Sequence, residues 1–421
     1  MLTLTNARVF DGLAMLPGRR TVTLDGNQIT AVSEDGKLAA AGERIDLGGM
    51  VLMPGMISCH LHSDNYKWGI ADFIAGDRLG KERPPGVLMA CGVRTCRVLL
   101  ESGFTGYVGA ACSNDIDAQL KMAIAEDIIP GPRILACGHH VGTTADNNDS
   151  RKWWHRYDTP GTDLFADGPD AVRALTRDEI RRGVEVIKIF VSSGHAIPGH
   201  HGKRNMSHAE MAAIVEAAHE RGAKVRAHVC HRDLILEAVA LGIDIIDHGD
   251  EVDEDCIEAM ARAGSFWVPS LKFLQLAIDQ GWPDPDGSTA YGHANLHRTI
   301  PLAHKAGVRI LLGDDYGGPP LPHEVGSYNE ELGLYAGIDG IGPSDVLTWA
   351  TRYAGELLVD APARVGVVEA GALADLIVVD GDPLADVSIL ERPEQSLKAV
   401  FRDGVAVIDR LPTAARRQAA A

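Results

Sequence analysis

Two histidines, His60 and His62, flank Leu61 in MPGMISCHLHSDN (53–65), at the end of an apolar run. In a strand, residues two apart project from the same face, about 7 Å apart along the chain. Imidazoles so placed can chelate a metal, but an isolated His-x-His is common enough to be chance. Further polar residues bear on the choice. Lys188 sits inside the apolar run VEVIKIF, His228 in KVRAHV, His248 in IDIIDHG, and Asp314 and Asp315 close VRILLGDD. Singly, each has a bland explanation: a solvated edge lysine, a satisfied core histidine, an aspartate opening a turn. Together they point to one centre, provided that the elements carrying them end at the same place.

Those elements are short and β-rich. VLMPGMIS (51–58), FTGYVGAA (104–111), RILACG (133–138) and VEVIKIF (184–190) are followed by KVRAHV (224–229), IDIIDHG (243–249), SFWVPS (265–270) and VRILLGDD (308–315). Amphipathic segments lie between most of them. In SHAEMAAIVEAAHERG (207–222), Met211, Ile214, Val215 and Ala218 recur at helical spacing, Ser207 and Glu210 form a capping box, and Gly222 closes the helix. Near-continuous apolar strands alternating with helices predict a parallel sheet, and eight such units predict a closed (β/α)₈ TIM barrel over 57–361. Chemistry in such barrels gathers at the C-terminal ends of the strands, where these histidines and aspartates fall. A doubly wound open sheet is the alternative, but no glycine-rich phosphate fingerprint follows the first run.

The two ends follow a different pattern. LTLTNARVF and TVTLDGNQITAV near the start, and ADLIVVDGDP and LKAVFRDGVAVID near the finish, are short strands broken by Asp-Gly turns. They predict one small composite β-sandwich domain from 1–56 and 362–421, beside the hydrolase barrel.

Composition narrows the partners. The 421 residues are 45% hydrophobic and 23% charged, as in a globular protein. No stretch approaches the ~20 apolar residues of a membrane span, and the start lacks the pattern of a signal peptide. A net charge of −18 argues against a nucleic-acid partner. Seven scattered cysteines without a CxxC pair read as reduced thiols of a cytoplasmic protein. The expected partner is a small-molecule substrate, and the expected assembly a homo-oligomer.

TNARVFDG, PGMISCHLH, IKIF, AHV, IDHG, LLGDD and GALADLIVVDGDP together resemble the amidohydrolase superfamily, over nearly the whole chain. The chain is most similar to the branch of imidazolonepropionases, prolidase-like Xaa-Pro dipeptidases and related amide hydrolases. The resemblance implies a metal-dependent hydrolase that cleaves a C–N bond of amide, peptide, N-acyl amino acid or carbamate type. It implies His60 and His62 on one divalent ion, His228 and His248 on a second, a carboxylated Lys188 as the bridge, and Asp315 completing the first site. Zinc is the expected ion, with cobalt, nickel or manganese as substitutes. Two such ions lower the pKa of a bridging water, whose hydroxide attacks the carbonyl while Asp315 relays the proton to the leaving amine. The family's usual Gly-Thr-Asp motif aligns Asp314 with the threonine; an alignment shifted by one would exchange the two aspartates.

Substrate-side residues depart from the relatives' patterns. Where peptidase-like relatives carry Thr-Gly-Gly-His, this chain has CGHHVGTTADNND (137–149), so His139 or His140 would bind a substrate carbonyl or carboxylate, or be structural. His231 fits a helix start. Aromatics in NYKWGIADF (65–73) and RKWWHRYD (151–158) would form an apolar pocket for an aryl or bulky alkyl group, or pack loops. The alternatives are a deaminase or cyclic-amide hydrolase of the same superfamily, against which Lys188 argues, and a non-catalytic scaffold. A serine hydrolase is excluded by the lack of a GxSxG elbow.

Overall fold

The computed structural model describes residues 1–37, 42–65, 83–146, 148–149, 151, 154, 161–196, 203–317 and 321–417. The expected parallel strands are present. Met56–Leu61, Phe104–Gly109 and Arg133–Leu135 pair in parallel as one sheet. Cys137–Gly142, Val186–Phe190, Lys224–Val229, Ile245–His248, Phe266–Val268 and Arg309–Ile310 follow one another in parallel in a second, with Asp163–Phe165 at its edge. Cys112 N donates to Gly138 O at 2.8 Å, and Cys59 N to Leu312 O at 2.7 Å.

Two of the eight runs are each divided between two sheets. VLMPGMIS divides at Gly55, where a Cβ would stand 2.0 Å from Thr105 Oγ1, so Val51–Pro54 and Met56–Leu61 belong to different sheets. RILACG divides at Ala136, between Arg133–Leu135 and Cys137–Gly142. VRILLGDD keeps only Arg309–Ile310 in the ladder. Beyond it, Gly313 approaches His60 so closely that a Cβ would meet His60 N at 2.2 Å. This close approach brings the two aspartates to the histidine strand.

The helix His208–His219 begins as its sequence requires. Ser207 and Glu210 exchange the two capping-box hydrogen bonds, and Met211, Ile214, Val215 and Ala218 are buried. At the chain ends, Val51–Pro54 pairs in parallel with Leu2–Val9 and antiparallel with Leu376–Val379, which joins N- and C-terminal strands in one nine-stranded sheet. Leu4, Val9, Val22, Ile45, Leu52, Leu376, Val378 and Phe401 form its buried core. Among the described residues, no helix is long and apolar enough to cross a membrane.

Candidate metal centre

His60 and His62 leave one strand on the same side, with ring centroids 5.7 Å apart. His248 ends the strand Ile245–His248 in a left-handed conformation (φ 69°), and its ring stands 5.2 Å from His60 and 4.4 Å from His228. Asp315 reaches into this group. Its Oδ1 lies 2.7 Å from His60 Nε2 and 3.2 Å from His62 Nε2, and its Oδ2 lies 3.9 Å from His248 Nε2. Ligand atoms of His60, His248 and Asp315 all fall within 4.8 Å of one another.

The donor chemistry fits a divalent ion. Both ring nitrogens of His248 are buried with no hydrogen-bond partner among the described residues, and His60 Nε2 is out of line for a bond to Asp315. Burial lowers His60 to about 4, against the pull of Asp315 and Asp247. Burial, reinforced by Lys188 at His228 and by His195 at His248, puts both of these rings well below the ordinary histidine value. Burial thus favours the neutral form of these imidazoles, the form that ligates metal. Burial pushes the Asp315 carboxyl up, but His60 and His62 hold it well below the usual carboxylate range.

Asp314 turns elsewhere. It is fully buried and accepts from Lys272 N at 3.0 Å, beside Glu331, which itself accepts from Gly313 N. Consecutive carboxylates thus diverge, one toward the histidines and one toward the protein behind them.

Lys188 projects from Val186–Phe190, and its Nζ donates to Asp247 Oδ2 at 2.6 Å. Asp247 is also clamped by Arg226, through Nε at 3.0 Å and Nη2 at 2.6 Å, and Arg226 Nη1 donates to Gly109 O. Burial opposes ionisation of Asp247, yet Arg226 and Lys188 keep it far below the usual range. Two buried basic side chains thus face one carboxylate. Arg226 and Asp247 were not singled out in the sequence. Arg226 carried the same signal as Lys188, a long charged side chain within an apolar strand, but an arginine is not a metal ligand. Arg226→Met should cost about 3–5 kcal/mol in urea unfolding, the range for breaking a buried ion pair. A loss below about 1 kcal/mol would contradict this role.

His139 and His140 point to opposite faces of Cys137–Gly142, as strand alternation dictates. His140 lies 5.6 Å from the His62 ring and 4.9 Å from Phe190, with Nδ1 2.8 Å from Asp163. His139 is held away from the cluster, with Nδ1 3.1 Å from Glu179 and 3.3 Å from Asp115 and Nε2 accepting from Asn114 N. His231 occupies the N-cap position of Arg232–Ala240, with Nε2 3.7 Å from Glu251. Of the loop aromatics, Tyr66, Trp68, Phe73, Trp153 and Tyr157 lie outside the described residues, and Trp154 is 61% exposed. Phe190 lies beside the cluster, stacked on His228 at 4.6 Å.

Residues 51–407 match the amidohydrolase family. Ochratoxinase of Aspergillus niger is 26% identical over 372 residues, which cover 82% of this chain and 73% of that protein. The crystal structure of an amidohydrolase gives a TM-score of 0.85 at 27% identity, covering 98% of this chain and 100% of that one. A prolidase crystallised with N-methylphosphonate-L-proline gives 0.83 at 26% identity, covering 97% and 99%. The fold is TIM-barrel-like α/β.

Proposed function

This chain belongs to the amidohydrolase family, and we propose that its active centre is the cluster of His60, His62, Lys188, His228, His248 and Asp315, holding two divalent metal ions. It is a hydrolase acting on carbon–nitrogen bonds, as its family and relatives are. The observation that carries the two-ion reading is the convergence of His60, His62 and His248 on Asp315, with His228 against His248 and the ring nitrogens of His248 unpartnered among the described residues. His60 and His62 would hold one ion with Asp315, His228 and His248 the other, and a carboxylated Lys188 would bridge them. A carbamate there would supply anionic oxygen ligands.

Bound ions would polarise the scissile carbonyl and make a neighbouring water more acidic. The residues do the rest. Asp315, ionised and set against His60 and His62, accepts the proton of the attacking water at a carboxylate oxygen and returns it to the leaving nitrogen. His140 is the substrate-side histidine of its pair; its Nδ1–H is given to Asp163, which leaves Nε2 for a substrate contact. The substrates proposed are amides, peptides, N-acyl amino acids or carbamates bearing an apolar or aromatic group, in line with a relative that is an ochratoxinase and another that binds a prolyl phosphonate.

The architecture proposed is a closed (β/α)₈ barrel over 57–361 with a β-sandwich from 1–56 and 362–421. The Cys59–Leu312 bond and the shared terminal sheet support it. Seven unpaired cysteines support a reducing, cytoplasmic setting.

The test is a hydrolysis screen of zinc-loaded and chelator-treated protein against N-acyl amino acids, dipeptides, aryl carbamates and aryl ureas. At least one class should be cleaved, with turnover lost on chelation and restored by zinc or manganese. Failure with all four, or full activity in metal-stripped protein, would contradict the proposal.

A further inference from the structure

His62 stands one residue beyond the strand Met56–Leu61, so the ladder does not hold it. Hydrogen bonds to other segments do. Its backbone N donates to Tyr316 O at 2.9 Å, its Nδ1 donates to Ala111 O at 2.9 Å, and its carbonyl accepts from His323 Nε2 at 2.9 Å. Tyr316 directly follows Asp315, and Gly317 packs so closely on His62 that a Cβ there would lie 2.8 Å from His62 O. The segment that carries Asp315 is thus set against the backbone of His62, whose Nε2 lies 3.2 Å from Asp315 Oδ1.

His323 belongs neither to the ligand set nor to the proton relay, yet it is 1% exposed and held at three atoms. Its carbonyl accepts from Arg94 Nη1 at 2.7 Å, its Nδ1 lies 2.7 Å from Tyr328 Oη, and its Nε2 meets His62 O. A carbonyl oxygen only accepts, so Nε2 carries a hydrogen toward His62 whether the ring is neutral or charged. Tyr328 is fully buried, with its ring 4.6 Å from Tyr316 and 5.6 Å from Phe104. The imidazole is therefore a strut between a packed tyrosine and the backbone of His62. A buried polar ring must recover its lost hydration through its hydrogen bonds, and these are the ones in place. Without His323, the His62 carbonyl keeps one donor among the described residues, Asn65 N at 3.2 Å.

We propose that His323 is a positioning residue for the ion held by His60, His62 and Asp315: its hydrogen bond to the His62 carbonyl sets the imidazole of His62 against Asp315. The inference rests on the two-ion reading above. His323 acts through the backbone of His62 and is not itself a ligand. Partners of this kind fix a ligand's orientation in advance, and losing one typically weakens metal binding ~10–100-fold.

The experiment titrates metal-stripped wild type, His323→Leu, His323→Gln and Tyr328→Phe with zinc against a chromophoric chelator, and reads the zinc dissociation constants. Leucine removes the donor, glutamine restores an N–H within reach of the same carbonyl, and phenylalanine leaves the imidazole but cuts its tether. In His323→Leu one of the two constants should weaken about 10–100-fold while the other keeps its wild-type value. His323→Gln should keep both, and Tyr328→Phe should weaken the same constant by less than His323→Leu does. A purely structural role would lower thermal stability in His323→Leu and leave both constants unchanged, which overturns the proposal. Equal weakening of both constants overturns it too, as does a His323→Gln no better than His323→Leu. If His323→Leu does not fold, Tyr328→Phe decides, and unchanged constants in it overturn the proposal. Wild type with a single zinc constant overturns the two-ion reading, and the proposal then stands or falls on that constant in the same variants. Wild type that binds no zinc overturns both.

Discussion

Lys188→Ala should lose metal and activity together. Lys188 stands on the central strand Val186–Phe190, 1% exposed, at the register position between His140 and Arg226 on the neighbouring strands. An ammonium there would be repelled by the two proposed divalent ions, whereas a carbamate would contribute anionic oxygens. Removing the bridge should therefore lower activity by more than the ~10–100-fold lost when an outer partner of a metal ligand is removed. Lys188→Arg should do no better, because a guanidinium cannot be carboxylated into a ligand. The fold should survive, since Asp247 retains both of its bonds to Arg226. Acetate or propionate should partly restore Lys188→Ala by supplying the missing oxygens. Wild-type metal content and turnover in Lys188→Ala would remove the bridge from the mechanism.

Asp315→Asn should reduce turnover by about 10²-fold or more, the usual cost of losing a general acid–base group. The amide keeps the shape but cannot take the proton. Asp314→Asn is the control, because Asp314 is directed to Lys272 and Glu331 rather than to the histidines. Its effect on turnover should be small. The reverse order of damage would show that the proton passes through Asp314.

Much of this arrangement was legible in the chain, and the parts that were not have physical causes. The alternation of apolar strands with amphipathic helices survives as parallel sheets because buried strands must be apolar on both faces. His60 and His62 share a side because residues two apart in an extended chain project the same way. Strand alternation also separates His139 from His140, although the sequence alone kept both as substrate residues. Asp314 and Asp315 were harder, because the backbone leaves the ladder after Ile310 and enters the left-handed region at Asp315 (φ 56°), so no period tells which carboxylate turns inward. His323 lay in an irregular segment with no period at all. Its place depends on His62, 261 residues earlier.

The most direct test of the two-ion centre is a titration of metal-stripped protein with zinc, reading the hydrolysis rate against ions bound per chain. Turnover should rise until about two equivalents are bound and then level off. Full turnover at a reproducible single equivalent would contradict the two-ion centre.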